Sequence, residues 1–143
     1  MLNPHEAENV VLDAEPPATA SPFKGKTGLV RLFHAFFNSM SGLEDAFRHE
    51  SAFRQEILLA IVTIPIASIA PVTAVERALL IASILLVMIV ELLNTGVEVA
   101  IDRISFDHHT LSKRAKDIGS AAVFVSLLLA TIVWAVILGP RFS

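Results

Sequence analysis

Cysteine is absent from this chain. That excludes a disulfide framework, a structural thiolate metal site and a thiol nucleophile, and it leaves the compartment open. Charge is also scarce. Only 17% of the 143 residues are Asp, Glu, Lys or Arg, against 54% hydrophobic, with a mean hydropathy of +0.65. Soluble domains carry about 25% charged residues, so the balance points to a membrane. The net charge of -3 provides no basic signature, and nucleic acid is not an expected partner. Residues 1–22 contain no apolar core of a secretory signal; they are polar, acidic and rich in Pro and Ala. No phosphate-binding glycine loop is present. Gly25 to Thr27 reads GKT, but the leading glycine of that pattern would fall at Ala20 and no strand precedes it. The glycine-loop and catalytic-loop motifs of soluble protein kinases are missing as well.

What is present is helical. Residues 1–22, with their PPATASP segment, read as a disordered tail. The remainder, 23–143, reads as one integral-membrane domain. Between about 27 and 48, Leu29, Leu32, Phe33, Phe36, Met40, Leu43 and Phe47 recur at steps of three and four, opposite Arg31, His34, Asn38, Ser41, Asp45 and Arg48. This pattern predicts an amphipathic helix, too polar to span and suited to the membrane surface. A core-facing helix of a soluble bundle would show the same period. Three spans follow, at about 53–70, 78–104 and 117–139, the first with a kink at Pro65. A short turn over Pro71–Arg77 joins the first two, and Thr110 and Ser112 are candidate caps ahead of the third. The fold class is thus an all-α membrane protein with three transmembrane helices and one surface helix.

Lys24, Lys26, Arg31, Arg48 and Arg54 precede the first span, and Arg103, Lys113, Arg114 and Lys116 lie between the second and third. The other two ends offer only Arg77 and Arg141. The positive-inside rule places the N-terminus in the cytoplasm and the C-terminus outside. Three charged clusters then meet on one side: Glu50, Arg54 and Glu56; Glu98 and Asp102; Lys116 and Asp117. Glu91, Asn94, Glu98 and Asp102, spaced by three, four and four, form one helical stripe. Ionisable groups inside a span cost several kcal/mol and usually mark function. Polar residues that only fasten helices together are the alternative. Carboxylates without cysteine favour a hard cation such as Mg²⁺, which often shares its shell with phosphate. Arg31, Lys113, Arg114 and Lys116 could neutralise phosphates, or simply set topology. Glu91 lies roughly 10 Å deeper than Glu98, where a base would suit a lipid hydroxyl. His108 and His109 fall in a polar loop and could meet a nucleotide or cap that loop. Gly96, Gly119, Ser120, Ala121 and Ala122 point to close helix approach.

Three segments carry a family resemblance: AFRQE at Ala52 to Glu56, LLVMIVELLNTGVEVAIDRI at Leu85 to Ile104, and LSKRAKDIGSAAV at Leu111 to Val123. Together they resemble the prokaryotic diacylglycerol kinase family, in its small integral-membrane Gram-negative type, from about Thr27 onward. The resemblance implies a homotrimer in the bacterial inner membrane with sites between protomers, and transfer of the ATP γ-phosphate to the hydroxyl of diacylglycerol. It implies Glu91 as catalytic base and Glu50 and Glu98 as ligands of the Mg²⁺ that bridges the phosphates. Arg31, Asn38, Asp107, His108, His109, Lys116 and Asp117 match nucleotide-binding positions. Arg31, Ala52, Phe53, Arg54, Gln55, Glu56, Glu91 and Ser120 match positions near the lipid substrate, with Asn94 and Asp102 in support. The surface helix departs from the pattern, with Met40 and Phe47 in place of tryptophans, Asn38 for an aromatic and His34 for a lysine; Trp134 matches. A relative acting on undecaprenol is the nearest rival, and a non-enzymatic ion-pathway subunit is a rival of another class.

Overall fold

The computed structural model describes residues 28–104 and 110–141. The expected tail at 1–22 lies outside them, as do Lys24, Lys26, Asp107, His108 and His109. The described residues form four α-helices and no strand: α1 (Gly28–His49), α2 (Ser51–Ile69), α3 (Ala74–Ile104) and α4 (Thr110–Leu138), closed by a 3-10 turn at Gly139–Arg141. The chain divides into one unit ending at Met40 and a second beginning at Ser41.

Up to Met40, α1 leaves Leu29, Leu32, Phe33, Phe36 and Phe37 exposed. From Ser41 to its end at His49, α1 belongs to the second unit. There Glu44 pairs with Arg48 at 2.5 Å, and the Arg54 guanidinium donates to the carbonyls of Phe47 (3.1 Å) and Arg48 (3.2 Å). A cation at a helix C-terminus satisfies carbonyls that have no partner within the helix. Glu50 occupies the joint that follows, with extended backbone (φ -101, ψ 116).

Three helices are long and apolar enough to cross a membrane: Ser51–Ile69, Ala74–Arg103 and Thr110–Arg141, with mean hydropathies of 1.5, 2.3 and 2.7. Their outward faces carry large apolar side chains such as Phe124, Ile69 and Val136, exposed by 67%, 84% and 67%. Such surface fits hydrocarbon rather than water. Pro65 sits inside α2 without ending it.

The helices run antiparallel in sequence order, as their paired residues show. Ala67 packs with Leu80, and Ala60 with Ile84 and Val87, so α3 descends along α2. Ala130 and Ile137 of α4 join the same two clusters, with Trp134 bridging them. Small residues on α2 (Ala60, Ala67) let α3 approach closely, as membrane helices require when no hydrophobic drive separates protein from lipid. The Trp134 indole donates to the Leu80 carbonyl at 3.3 Å. Buried Ser83 and Ser126 spend their hydroxyls on carbonyls of their own helices, Leu80 (2.8 Å) and Val123 (2.7 Å).

The turn between α2 and α3 is shorter than the expected Pro71–Arg77, because α3 already begins at Ala74. A capping box starts it there. Thr73 donates its backbone N–H (2.8 Å) and its hydroxyl (2.9 Å) to Glu76 Oε2, and the Glu76 N–H returns to the Thr73 hydroxyl at 3.3 Å. Arg77 donates to the carbonyls of Ala67, in the last turn of α2, and of Ala70, just beyond its end. Arg141 closes the same end from α4, holding both oxygens of Glu76 (3.0 and 2.9 Å) and the carbonyls of Pro71 and Ile137. Since Arg141 and Glu76 act on one clasp, Arg141→Ala and Glu76→Gln should each lower the thermal midpoint in detergent by a few degrees, and the double variant should be little worse than either. Additive losses in a melting experiment would show two independent contributions instead.

At the other end, α4 starts at Thr110, well ahead of the expected span at 117. Ser112, a candidate cap, is therefore inside the helix. This end carries the polar residues.

Candidate active site

The antiparallel order brings the start of α2, the end of α3 and the start of α4 to one end of the bundle. Along the α2–α3 seam, Ala67 meets Leu80 and Ala60 meets Val87. One further step along each helix sets Glu56 against Glu91. Both are buried, at 8% and 5% exposure, and each carboxyl lies within electrostatic reach of the other. Oε2 of Glu56 has no hydrogen-bond partner among the described residues. Glu91 also feels the charges of Glu98 and Glu50. Four carboxylates from two helices and the α1–α2 joint therefore share one field, with Glu91 at its centre.

Glu91 is turned into the seam between helices, not out towards lipid. Periodicity fixes only its place along α3; its azimuth follows from packing. The buried α3 positions Leu80, Ser83, Ile84 and Val87 lead to Glu91 at steps of three and four.

Asn94 lies on the adjacent face of α3, towards α4. Its Nδ2 donates to Glu98 Oε1 at 3.2 Å, and its buried Oδ1 has no hydrogen-bond partner among the described residues. Directly beside it is Gly119 of α4. A Cβ built on Gly119 would overlap Asn94 Oδ1. Glycine is needed here for room alone; its backbone is ordinary helix. Gly119→Ala should push Asn94 off Glu98 and lower kcat by roughly 10- to 100-fold, the scale of a misplacement of about 1 Å. In an Asn94→Ala background the same change should cost little more, and full additivity in steady-state kinetics would refute the coupling.

The basic side of this end comes from α4. Lys116 donates to Asp102 Oδ1 across the helix pair at 2.6 Å and feels Glu98 as well. Lys113 holds Asp117 at 2.6 Å within α4. Arg114, Asp117 and Ser120 are exposed. Asp107, His108 and His109, the expected nucleotide contacts, lie outside the described residues.

Two grooves flank the polar residues. One, of about 470 Å³ between α3 and α4, is lined by Val90, Leu93, Asn94, Val97, Ala115, Ile118, Gly119 and Ala122; Asn94 is its one polar side chain. The other, of about 240 Å³ between α2 and α4, brings Ala52, Gln55 and Glu56 together with Val123 and Leu127. Three of the residues expected at the lipid substrate thus line one groove. Two others do different work. Phe53 is core, 1% exposed, and Arg54 holds the end of α1. Arg31 and Asn38 are exposed on the part of α1 that forms the first unit.

No group of three or more His, Asp or Glu side chains among the described residues is arranged to hold a metal by itself. The donor chemistry is nevertheless of one kind. Glu50, Glu98 and the unpartnered Asn94 Oδ1 offer oxygen only, which suits a hard cation that completes its shell with phosphate and water.

Sequence reading found the stripe and the convergence of three clusters. It missed the Glu56–Glu91 opposition, the seat of Asn94 on Gly119 and the Lys116–Asp102 pair. The small residues at 119–122 signalled a close approach without naming its partner.

The fold and site define a helical membrane protein with buried carboxylates and a cationic helix end gathered on one side of its spans. The family model described as prokaryotic diacylglycerol kinase matches residues 37–138. The chain belongs to that family. It is similar to proteins named diacylglycerol kinase from Pseudomonas aeruginosa (54% identical over 118 residues, 82% of this chain and 96% of the relative) and Escherichia coli K12 (45% over 117, 82% and 96%). A third, from Helicobacter pylori, is 41% identical over 122 residues, covering 85% and 91%.

Proposed function

We propose that this chain is an ATP-dependent lipid kinase that transfers the γ-phosphate of ATP to the free hydroxyl of 1,2-diacylglycerol, giving phosphatidate and ADP. Family membership over most of the chain supports the activity. The observation that carries the mechanism is the end-on gathering of a buried Glu91, the Asn94–Glu98 pair and Lys116, contributed by two adjacent helices.

Glu91 takes the proton of the acceptor hydroxyl as its oxygen attacks the γ-phosphorus. Because Glu91 is buried, the hydroxyl inserts between helices to reach it. Acyl chains lie along the apolar grooves, and the Ala52–Gln55–Glu56 groove, with Ser120, receives the glycerol end. Glu50 and Glu98 would hold Mg²⁺, which when bound neutralises phosphate charge. Asn94 orients Glu98 through its amide. Lys116, Asp117 and the 107–109 segment bind the nucleotide, and the family resemblance adds Arg31 and Asn38 to that set. Positioning and charge neutralisation, with no covalent enzyme intermediate, supply the acceleration.

The working protein is a homotrimer with sites between protomers, in the inner membrane, with its N-terminus cytoplasmic and its C-terminus outside. The skew of Lys and Arg towards the site end supports that orientation. An acceptor comparison in mixed micelles tests the substrate: labelled ATP should phosphorylate diacylglycerol far faster than undecaprenol. The reverse order would assign the same chemistry to the other lipid.

A further inference from the structure

We propose that Asp102 is a positioning residue for the nucleotide: it holds the Lys116 ammonium in place for the phosphates and keeps it off Glu98. This rests on the kinase reading above.

Lys116 ends a flexible four-carbon stem with three N–H donors. Within α4 its neighbouring carboxylate, Asp117, is already held by Lys113 at 2.6 Å. Lys116 therefore has two anionic neighbours on α3, Asp102 and Glu98. It bonds to Asp102 at 2.6 Å. Glu98 is left to Asn94, through Oε1 alone. This division of partners keeps a carboxylate oxygen of Glu98 available to a cation.

The pair itself is open to water, with the lysine side chain 39% exposed and the aspartate 62%. An exposed ion pair of this kind adds little to stability. Its effect is geometric. It links the last turn of α3 to the second turn of α4, on both sides of residues 105–109, and it fixes a long side chain before the ligand arrives. One N–H is used on Asp102, so two remain for phosphate oxygens. Ordering the lysine in advance reduces what binding must spend on it. Without Asp102, Glu98 is the remaining anion within reach on α3. Lys116 would then turn to it, lose its aim at the phosphates and neutralise a proposed ligand of the metal.

The test is direct binding of MgADP to the purified full-length protein in detergent micelles without acceptor lipid, followed by steady-state kinetics. Asp102→Asn is expected to bind MgADP about fivefold more weakly, with half-saturation shifted to higher free Mg²⁺. In turnover, KM for ATP should rise by a similar factor, with a smaller change in kcat and none in the KM for diacylglycerol. Asp102→Glu should recover most of the binding. Unaltered MgADP affinity in Asp102→Asn would overturn the assignment. So would a loss spread evenly over all kinetic constants with a lowered melting temperature, which is the signature of a residue that only fastens helices. If the unaltered protein failed to bind MgADP, the kinase reading would fall, and this assignment with it.

Discussion

Glu91→Gln is expected to bind MgATP as the unaltered protein does and to lose turnover by about 10²- to 10⁴-fold, the usual contribution of a positioned general base. The substitution keeps the shape of the side chain, so the α2–α3 seam should close as before. What it removes is the capacity to accept a proton. Glu91 is 5% exposed and shares its surroundings with Glu56, Glu98 and Glu50. A group that only fastened the seam would be replaced well by an amide, which can both donate and accept. Kinetics and nucleotide binding measured on the same preparation separate the cases. Equal losses of both would contradict the base role, and unchanged turnover would return Glu91 to a structural one.

Glu98→Ala is the second large effect. Glu98 is the carboxylate that connects the parts of the site: Asn94 bonds to it, and the charges of Glu91 and Lys116 lie within its field. Removing it should raise the Mg²⁺ concentration for half-maximal activity by on the order of 100-fold and lower kcat at saturating metal. It also leaves the Asn94 amide without its acceptor, so some loss should persist at any metal concentration. A magnesium titration reads both. Unshifted metal dependence would remove Glu98 from the ligand set and leave Glu50 and the phosphates to hold the cation.

Legibility from the sequence differed by kind of feature. Long apolar runs, bounded by charge and proline, were enough to place three spanning helices and their order. The stripe at Glu91, Asn94, Glu98 and Asp102 was plain because helical period depends only on spacing. What spacing does not contain is azimuth. Whether Glu91 faces lipid or Glu56 depends on which side of α3 packs against α2, and that follows from Ala60 and Ala67 being small. Gly119 belongs with Asn94 because two separate helices are in register, which neither helix encodes alone. Arg141 and Glu76 are 65 residues apart in the chain, and no helical period links them. α3 starts earlier than expected because Thr73 and Glu76 form a T-x-x-E capping box inside the expected turn.

In the proposed mechanism, two carboxylates of α3, Glu91 and Glu98, divide the work of the site. Glu91 is buried, as its proposed role in taking a proton from a lipid hydroxyl requires. Glu98 and Lys116 sit nearer the helix ends, the side proposed for the water-soluble donor. Gly119 keeps these two halves in register by leaving room for Asn94.

In the proposed mechanism the phosphoryl group passes directly from ATP to a lipid hydroxyl at this site. The most direct measurement is a single-turnover experiment with γ-labelled ATP and the purified protein in micelles containing diacylglycerol. Direct transfer predicts label in extractable phosphatidate, none on the protein, and none in lipid when Glu91→Gln is used over the same interval. Label retained on the protein, or absent from lipid with the unaltered chain, would contradict it.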